Sequence, residues 1–393
     1  MAVNADFPAQ QGVSRMLLVV DNCAAGDALR ISFCLNDLRD RFPYAQIVLL
    51  AGEESYPVFE RSQIFDRIVL SQLYRRNGRN VGRSWRWKSW QLLRIIWQLG
   101  FGYDLIATFN WGSNVLHLIG WIVGRRGRRI GYARRFPRLL TENLGSYHGR
   151  DLGAMDLMND NLSLVRAVGL DGRVTPTRVD GVADREAVAQ VLRANNLGAS
   201  QSLFVLHPGS HWPCQQWLAE RWGRLADELF SRYGADLVFT GHVRDEPHVT
   251  EIRQQMHAPS VSLVGKTTLP ELAALVRRAR VCICVNSSVF EISQSARVPT
   301  VVLAGPTEPV WLGRARPAPI VINRTPPSER ATMNASRRTR TEEGSCTNYD
   351  CPLAYLKDIE LTDVLNAVGK QLSGGESSRL PDQRRARLGR QTH

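Results

Sequence analysis

At 393 residues the chain exceeds the usual ceiling for one hydrophobic core, so two domains are expected. Its 44% apolar and 22% charged content is that of a soluble globular protein and argues against whole-chain disorder. A net charge of +13 and a pI near 9.9 favour an anionic partner: nucleic acid, a phosphorylated glycan or an acidic membrane face.

Seven cysteines, an odd number spread over a long chain, suit a reducing cytoplasm better than a disulfide framework. Cys346-x4-Cys351 and Cys282-x-Cys284 each lack the further Cys or His ligands a zinc site needs, so no metal is expected. The first residues, MAVNADFPAQQGVSRMLLVV, do not have the charged and apolar regions of a secretion signal. No apolar run is long enough to span a bilayer, and NVLHLIGWIVG reads as a buried helix face.

From Met16 the chain alternates short β-rich runs with helical ones, the pattern of a parallel sheet covered on both faces. MLLVV leads into a helix over GDALRISFCLNDLRDRF, then come the strand AQIVLLAG, a short helix around VFERSQ and the strand FDRIVL. A basic, Trp-rich helix, the strand YDLIATFN, another helix and RRIGYA follow, and the helix MDLMNDNLSLVRAVGL closes a first domain over 16–168. A polar linker at 169–185 separates it from a second domain, 186–325, which repeats the grammar: SLFVLHPGS, ADLVFTGH, SVSLVGKT, RVCICVNSS and PTVVLAGPT, with helices between. Residues 326–372 hold a Ser, Thr, Arg and Pro-rich loop and a closing helix, AYLKDIELTDVLNAVGKQL, with Thr362 and Asp363 near its cap. The basic tail 373–393 has little to bury and is expected to be mobile. The expected fold class is α/β, two Rossmann-like doubly wound parallel-sheet domains with a cleft between them.

In open α/β sheets ligands sit beyond the carboxyl ends of the strands. In the second domain those corners are His207-Pro208-Gly209-Ser210, Thr240-Gly241-His242, Gly265-Lys266-Thr267-Thr268, Asn286-Ser287-Ser288 and Gly305-Pro306-Thr307. Helix-start N–H groups joined by Ser and Thr hydroxyls cradle a diphosphate without needing a metal. Turns and caps use the same residues, but five such corners in one sheet favour a site. In the first domain the loop Asp21–Ala28 follows the first strand. Its Asp27, at a helix start, can serve as a cap or can accept a proton from an attacking hydroxyl, and spacing does not separate the two.

No GxGxxG follows a strand, and GxxxxGK[ST], GxSxG and HExxH are missing, which disfavours dinucleotide oxidoreductases, P-loop enzymes, hydrolases with a serine elbow and zincins. Two basic runs, 74–90 and 124–138, contain no acid, and the first interleaves Arg with Trp. They suit a phosphorylated or lipid-linked acceptor or a bilayer surface; without any nucleic-acid-binding signature beside them, nucleic acid is the weaker reading.

These motifs together resemble glycosyltransferase family 9, the ADP-heptose:lipopolysaccharide heptosyltransferases, over most of residues 16–370. The resemblance runs through GDALR, YDLIATFNWGSN, RRIGYARR, LHPGS, QQWLAERWGRLADEL, VFTG, LVGKTTLPELAALVRRARVCICVNSSVFEISQSARVPTVVLAGPTEP and CPLAYLKDI. It implies a GT-B fold and inverting, metal-independent transfer from ADP-heptose, with no cofactor beyond the nucleotide sugar. The acceptor, an anionic glycan or glycolipid, would bind the N-terminal domain through Asn22, Arg83, Arg134 and Arg135, and the donor the C-terminal one. Asp27 matches the proposed base. Gly209, Ser210, Gln215, Thr267, Asn286, Ser287, Ser288, Glu291, Gly305 and Thr307 are the nucleotide-sugar residues, in a cytoplasmic enzyme with peripheral contact to the inner membrane face.

Two motifs depart from the family's pattern. Where the family usually has K-R-W-P, this chain has Gln215-Gln216-Trp217-Leu218, and where it has D-S-G-x-x-H, this chain has Asn286-Ser287-Ser288-Val289-Phe290-Glu291. Losing a lysine at a diphosphate forfeits a charge-assisted hydrogen bond of roughly 1.5–3 kcal/mol. Glu291 would repel the diphosphate unless it turned toward ribose hydroxyls. These changes imply altered donor recognition, with another nucleotide sugar and a soluble acceptor, or a catalytically silent sugar-nucleotide-binding protein.

Overall fold

A computed structural model of the protein describes residues 12–21, 23–73, 85–109, 114–133, 135–145, 157–197, 202–210, 215–305, 317–326 and 355–376. The chain forms two compact units that part between Gly181 and Val182.

The first unit runs β1 (Arg15–Val20), α1 (Ala25–Phe33), α2 (Leu38–Arg41), β2 (Gln46–Gly52), α3 (Tyr56–Phe59), β3 (Arg67–Ser71), α4 (Trp85–Leu99), β4 (Leu105–Thr108), α5 (Asn114–Val123), β5 (Arg128–Gly131), β6 (Glu142–Asn143) and α6 (Leu157–Val168). Its six strands are all parallel, in the order β3-β2-β1-β4-β5-β6. Met16 to Val20 have no exposed surface, as a central parallel strand covered on both faces requires. Ile95 and Leu99 of α4 and Leu116, Ile119 and Val123 of α5 pack with Leu17, Val19 and Ile106 of the sheet.

The single helix expected over 26–42 is two, and the break has a visible cause. The carbonyls of the last turn of α1 accept from elsewhere: Phe33 O from Thr175 N at 2.9 Å, and Ser32 O from Thr177 Oγ1 at 3.0 Å. Asn36 Nδ2 reaches Thr175 O at 2.7 Å. Part of the segment expected as a linker at 169–185 is thus strapped to α1, and a helix begins at Val182.

The second unit runs α7 (Val182–Ala194), β7 (Leu203–His207), α8 (Ala219–Tyr233), β8 (Asp236–Phe239), α9 (Glu246–Gln254), β9 (Ser260–Ser262), α10 (Leu269–Arg278), β10 (Val281–Val285), α11 (Ser288–Ala296), β11 (Thr300–Ala304), β12 (Ile320–Asn323) and α12 (Leu361–Glu376). Its parallel sheet has the order β12-β11-β10-β7-β8-β9. α8 buries Trp222, Leu225, Ala226 and Leu229 at helical spacing and ends at Gly234, whose φ of 57° is the left-handed conformation a helix stop uses. Thr268 and Glu271 close a capping box on α10. The C-terminal segment is built into this unit. Trp217 Nε1 donates to Ile359 O at 2.9 Å, Arg221 to Lys357 O at 2.6 Å, and Gln371 Nε2 to Thr300 O and Ala318 O at 3.1 and 2.8 Å. α12 continues to Glu376, four residues into the tail expected from 373; the rest of that tail lies outside the described residues.

The α/β class with two doubly wound parallel sheets is as the alternation predicts. Two edge strands, β6 and β12, add to the strands read from the sequence.

Candidate functional site

Each strand order reverses once, at β1/β4 in the first sheet and at β7/β10 in the second. Crossovers leave such a pair in opposite directions, so the ground beyond their carboxyl ends is open to a ligand. In the second unit this ground is the 207–210 corner after β7 and the 286–288 corner after β10.

The corner after β7 is braced from beneath. His207 is buried, its Nδ1 lies 3.0 Å from Thr240 Oγ1, and burial pushes its pKa down to about 4, so the ring is neutral. A Cβ at Gly209 would overlap the Asp245 carboxylate, and one at Gly241 would lie 3.1 Å from it. Asp245 Oδ2 accepts from His242 N at 2.8 Å, and burial raises its carboxyl pKa. One buried carboxylate therefore joins the corners after β7 and β8. Above it, the nearly buried Ser210 donates through Oγ to Gln215 Oε1 at 3.3 Å. Gln215 Cγ in turn lies 4.0 Å from where a Cβ at Gly305 would stand, so the corner after β11 joins the group.

The corner after β10 opens α11. Asn286 N donates to Leu303 O at 3.1 Å, which carries the β10–β11 pairing one residue further. Ser287 is the N-cap in extended conformation (φ −147°, ψ 176°), yet its side chain makes no cap hydrogen bond. Its Oγ is buried and has no hydrogen-bond partner. A buried hydroxyl left unmade at a helix N-terminus is costly, and a bound anion would satisfy it together with the first-turn N–H groups. Ser288 is half-buried beside it. Glu291 has no exposed surface. It lies close enough to the buried Cys284 thiol of β10 to act on it, and that thiol is raised well above its ordinary value by burial first, then by Cys282 and Glu291.

The half-buried Thr267 follows β9, the edge strand, and so stands two strands from the β7/β10 reversal, next to the α10 cap. Thr307 lies outside the described residues, as do Asn22, Arg83 and Arg134. The candidate ligands Cys346 and Cys351 lie there too, and Cys282 and Cys284 are buried in β10. Arg135 is exposed shortly after β5.

In the first unit Asp27 sits in the first turn of α1, just after β1 at the β1/β4 reversal. The N-cap is Ala24, so Asp27 is not the cap. Its Oδ1 accepts from Arg30 Nη1 at 2.8 Å, and its side chain is 18% exposed. The neighbouring edge is laced by groups that sequence reasoning did not single out: Asp21 Oδ2 accepts from Ser71 Oγ at 2.5 Å, and Ser55 Oγ donates to Val20 O at 2.7 Å. His117, buried on α5 against the end of β5, has no partner on either ring nitrogen, and burial pushes its pKa down to about 4. Asp245 was also missed; the signal for it was the three-residue spacing of His242 and Asp245 ahead of a helix, which forms a capping box.

Residues 157–346 match the family model described as Glycosyltransferase family 9 (heptosyltransferase). That span includes every nucleotide-side corner named above and stops short of Asp27. The chain is 24% identical over 291 residues, 73% of its length and 82% of the relative's, to lipopolysaccharide heptosyltransferase 3 of Escherichia coli. Among solved structures it is similar to the glycosyl transferase family 9 protein from Veillonella parvula DSM 2008, with a TM-score of 0.73 at 19% identity over 92% of this chain and 97% of that one. It is similar also to the E. coli ADP-heptose lps heptosyltransferase II, with a TM-score of 0.68 at 16% identity over 92% and 99%.

Proposed function

We propose that this chain, a glycosyltransferase whose residues 157–346 form a family 9 domain, moves heptose from ADP-heptose to a hydroxyl of the lipopolysaccharide core, with inversion and without a metal ion. The observation that carries this reading is the β7/β10 corner pair, where Ser287 Oγ is buried without a partner at the N-terminus of α11. A diphosphate there accepts from that hydroxyl and from the N–H groups of the first turn, while Ser210 and Gln215 border it from the β7 side. Two of the similar E. coli proteins are named as lipopolysaccharide heptosyltransferases, one of them as an ADP-heptose enzyme; the donor and acceptor are carried over from those two.

The chemistry needs one displacement. The acceptor oxygen bonds to the anomeric carbon as the bond from that carbon to the diphosphate oxygen breaks, which inverts the centre. The acceptor proton passes to the Asp27 carboxylate and the electron pair leaves on ADP. Arg30 donates to Asp27 Oδ1 at 2.8 Å and so holds that carboxylate in place until it takes the proton. Developing charge on the leaving group falls on fixed N–H and O–H donors, which is why no metal is invoked. Arg135, with Asn22, Arg83 and Arg134, is assigned to an anionic glycolipid acceptor, and the chain is placed in the cytoplasm at the inner membrane face. Among the described residues no helix is long and apolar enough to cross a membrane.

Gln215 and Glu291, at positions where the family usually has Lys and His, favour one alternative: a different nucleotide sugar. Calorimetric titration with ADP-, GDP-, UDP- and dTDP-sugars separates the two. The proposal expects ADP-heptose to bind tightest and to be consumed when acceptor is added. A clear preference for a non-adenine nucleotide removes the heptosyltransferase assignment.

A further inference from the structure

A helix packed on a sheet normally turns polar residues outward. α4 does not. Gln91, Ile95 and Leu99 face the core, yet the outward positions carry Trp90, Leu93 and Trp97, with Phe101 just beyond the helix end. Leu93 is 66% and Trp97 82% exposed. α5, packed beside α4, adds exposed Val115 and Leu118. The result is one apolar strip across two adjacent helices of the first unit, larger than scattered surface hydrophobics explain.

Its charges are of one sign. Arg86, Lys88 and Arg94 lie on α4, and exposed Arg125 and Arg126 follow α5. Residues 74–99 and 114–138 contain no Asp or Glu at all. Arg94 Cζ stands 5.9 Å from the Trp90 ring centroid and Arg125 Cζ 5.3 Å from that of Trp121, so guanidinium and indole are interleaved at the rim of the strip.

We propose that the outward side of α4 and α5 is a docking surface for an anionic lipid bilayer. Aliphatic and Trp side chains gain by entering the headgroup and acyl boundary, and the Arg and Lys of these two stretches, which carry no Asp or Glu of their own, meet lipid phosphates. The other occupants fit less well. A second copy joined by a two-fold axis would set this basic face against itself, with like charges opposed. A nucleic acid backbone would satisfy the arginines and leave Leu93, Val115 and Leu118 in water. The surface deepens the reading of a glycolipid acceptor by naming how the enzyme reaches it, but its test uses neither donor nor acceptor and so fails or succeeds apart from that reading.

The test is flotation of the full chain with vesicles of phosphatidylcholine alone and of phosphatidylcholine with phosphatidylglycerol. Binding is expected on the anionic vesicles only, weakening as salt is raised. The double variant Leu93→Glu/Trp97→Glu should cut the bound-to-free ratio by about ten-fold or more, and Arg125→Glu/Arg126→Glu by a comparable factor. Circular dichroism and nucleotide affinity, which depends on the second unit, should stay as in the wild type and exclude misfolding as the cause. Equal binding to both vesicle types, no binding to either, or wild-type partitioning of the double variants overturns the proposal. So does a wild-type dimer, seen by sedimentation velocity, that Leu93→Glu/Trp97→Glu dissociates without any vesicle binding by the parent.

Discussion

The Asp245 carboxylate occupies the space where a side chain at position 209 would begin. Because Asp245 is itself held by His242 N at 2.8 Å, it has nowhere to retreat, and the corner after β7 keeps its shape only with glycine there. Gly209→Ala should therefore destabilise the protein by about 1–3 kcal/mol and weaken nucleotide binding at least several-fold. Urea unfolding and calorimetry read the two effects. A variant with unchanged stability and affinity would show that the brace is not needed.

Asp27→Ala should lower turnover by about 100-fold or more while leaving donor affinity within about two-fold. Arg30→Gln, which removes the ion-pair partner at 2.8 Å, should lower turnover less, since the carboxylate loses the contact that holds it in place but not its own chemistry. Full turnover in Asp27→Ala would mean that another group is the base.

Ser287 separates stability from binding. Its Oγ makes no hydrogen bond in the protein, so Ser287→Ala should not lower the thermal midpoint of the ligand-free chain. The same change should weaken ADP binding by about ten- to hundred-fold, the loss of one hydrogen bond to a charged group. A fall in midpoint with unchanged affinity would reverse that assignment.

Gln215→Lys restores the residue usual in the family at the edge of the same corner. If Gln215 borders the diphosphate, the lysine should tighten ADP binding by about ten-fold, more at low salt than at high. Salt-independent or unchanged affinity would place the diphosphate elsewhere.

Two buried histidines set an acid limit to stability. His117 and His207 each fall from 6.5 to about 4 through burial. The unfolded chain takes up these protons near pH 6.5 and the folded chain only near 4, so stability is fully present above about 6.5 and is lost progressively as pH falls toward 4. Each ring contributes on the order of 3 kcal/mol to that loss. His117 makes no hydrogen bond, so His117→Leu should be neutral or stabilising at pH 7.5 and should flatten part of the decline between pH 6.5 and 4.5. Melting curves across that range check it.

The strands were legible where burial on both faces leaves an unbroken apolar run, as in Met16 to Val20 and Val281 to Val285. β6 escaped because Glu142 and Asn143 are polar and pair on one side only, and β12 because Ile320 to Asn323 form a short, partly exposed edge. The break between α1 and α2 could not be read either, since it follows from Thr175 and Thr177, far along the chain, taking the carbonyls of Phe33 and Ser32. At the site, small residues after each strand pointed to Gly209, Ser210 and Ser287. What the pattern did not carry was Asp245, whose role appears only when Gly209 and Gly241 close on one carboxylate.

The lodging of Ile359 against Trp217, of Leu356 beside Gly305 and of Gln371 under β11 has a bearing on how the protein is made. A ribosome delivers the first sheet whole, long before it delivers the closing helix, so the amino-terminal half can settle while its successor is still incomplete. Nascent chains halted before residue 355 would lack the lining of Gly305, and a stop codon there should yield a product unable to retain nucleotide although every corner residue had been translated.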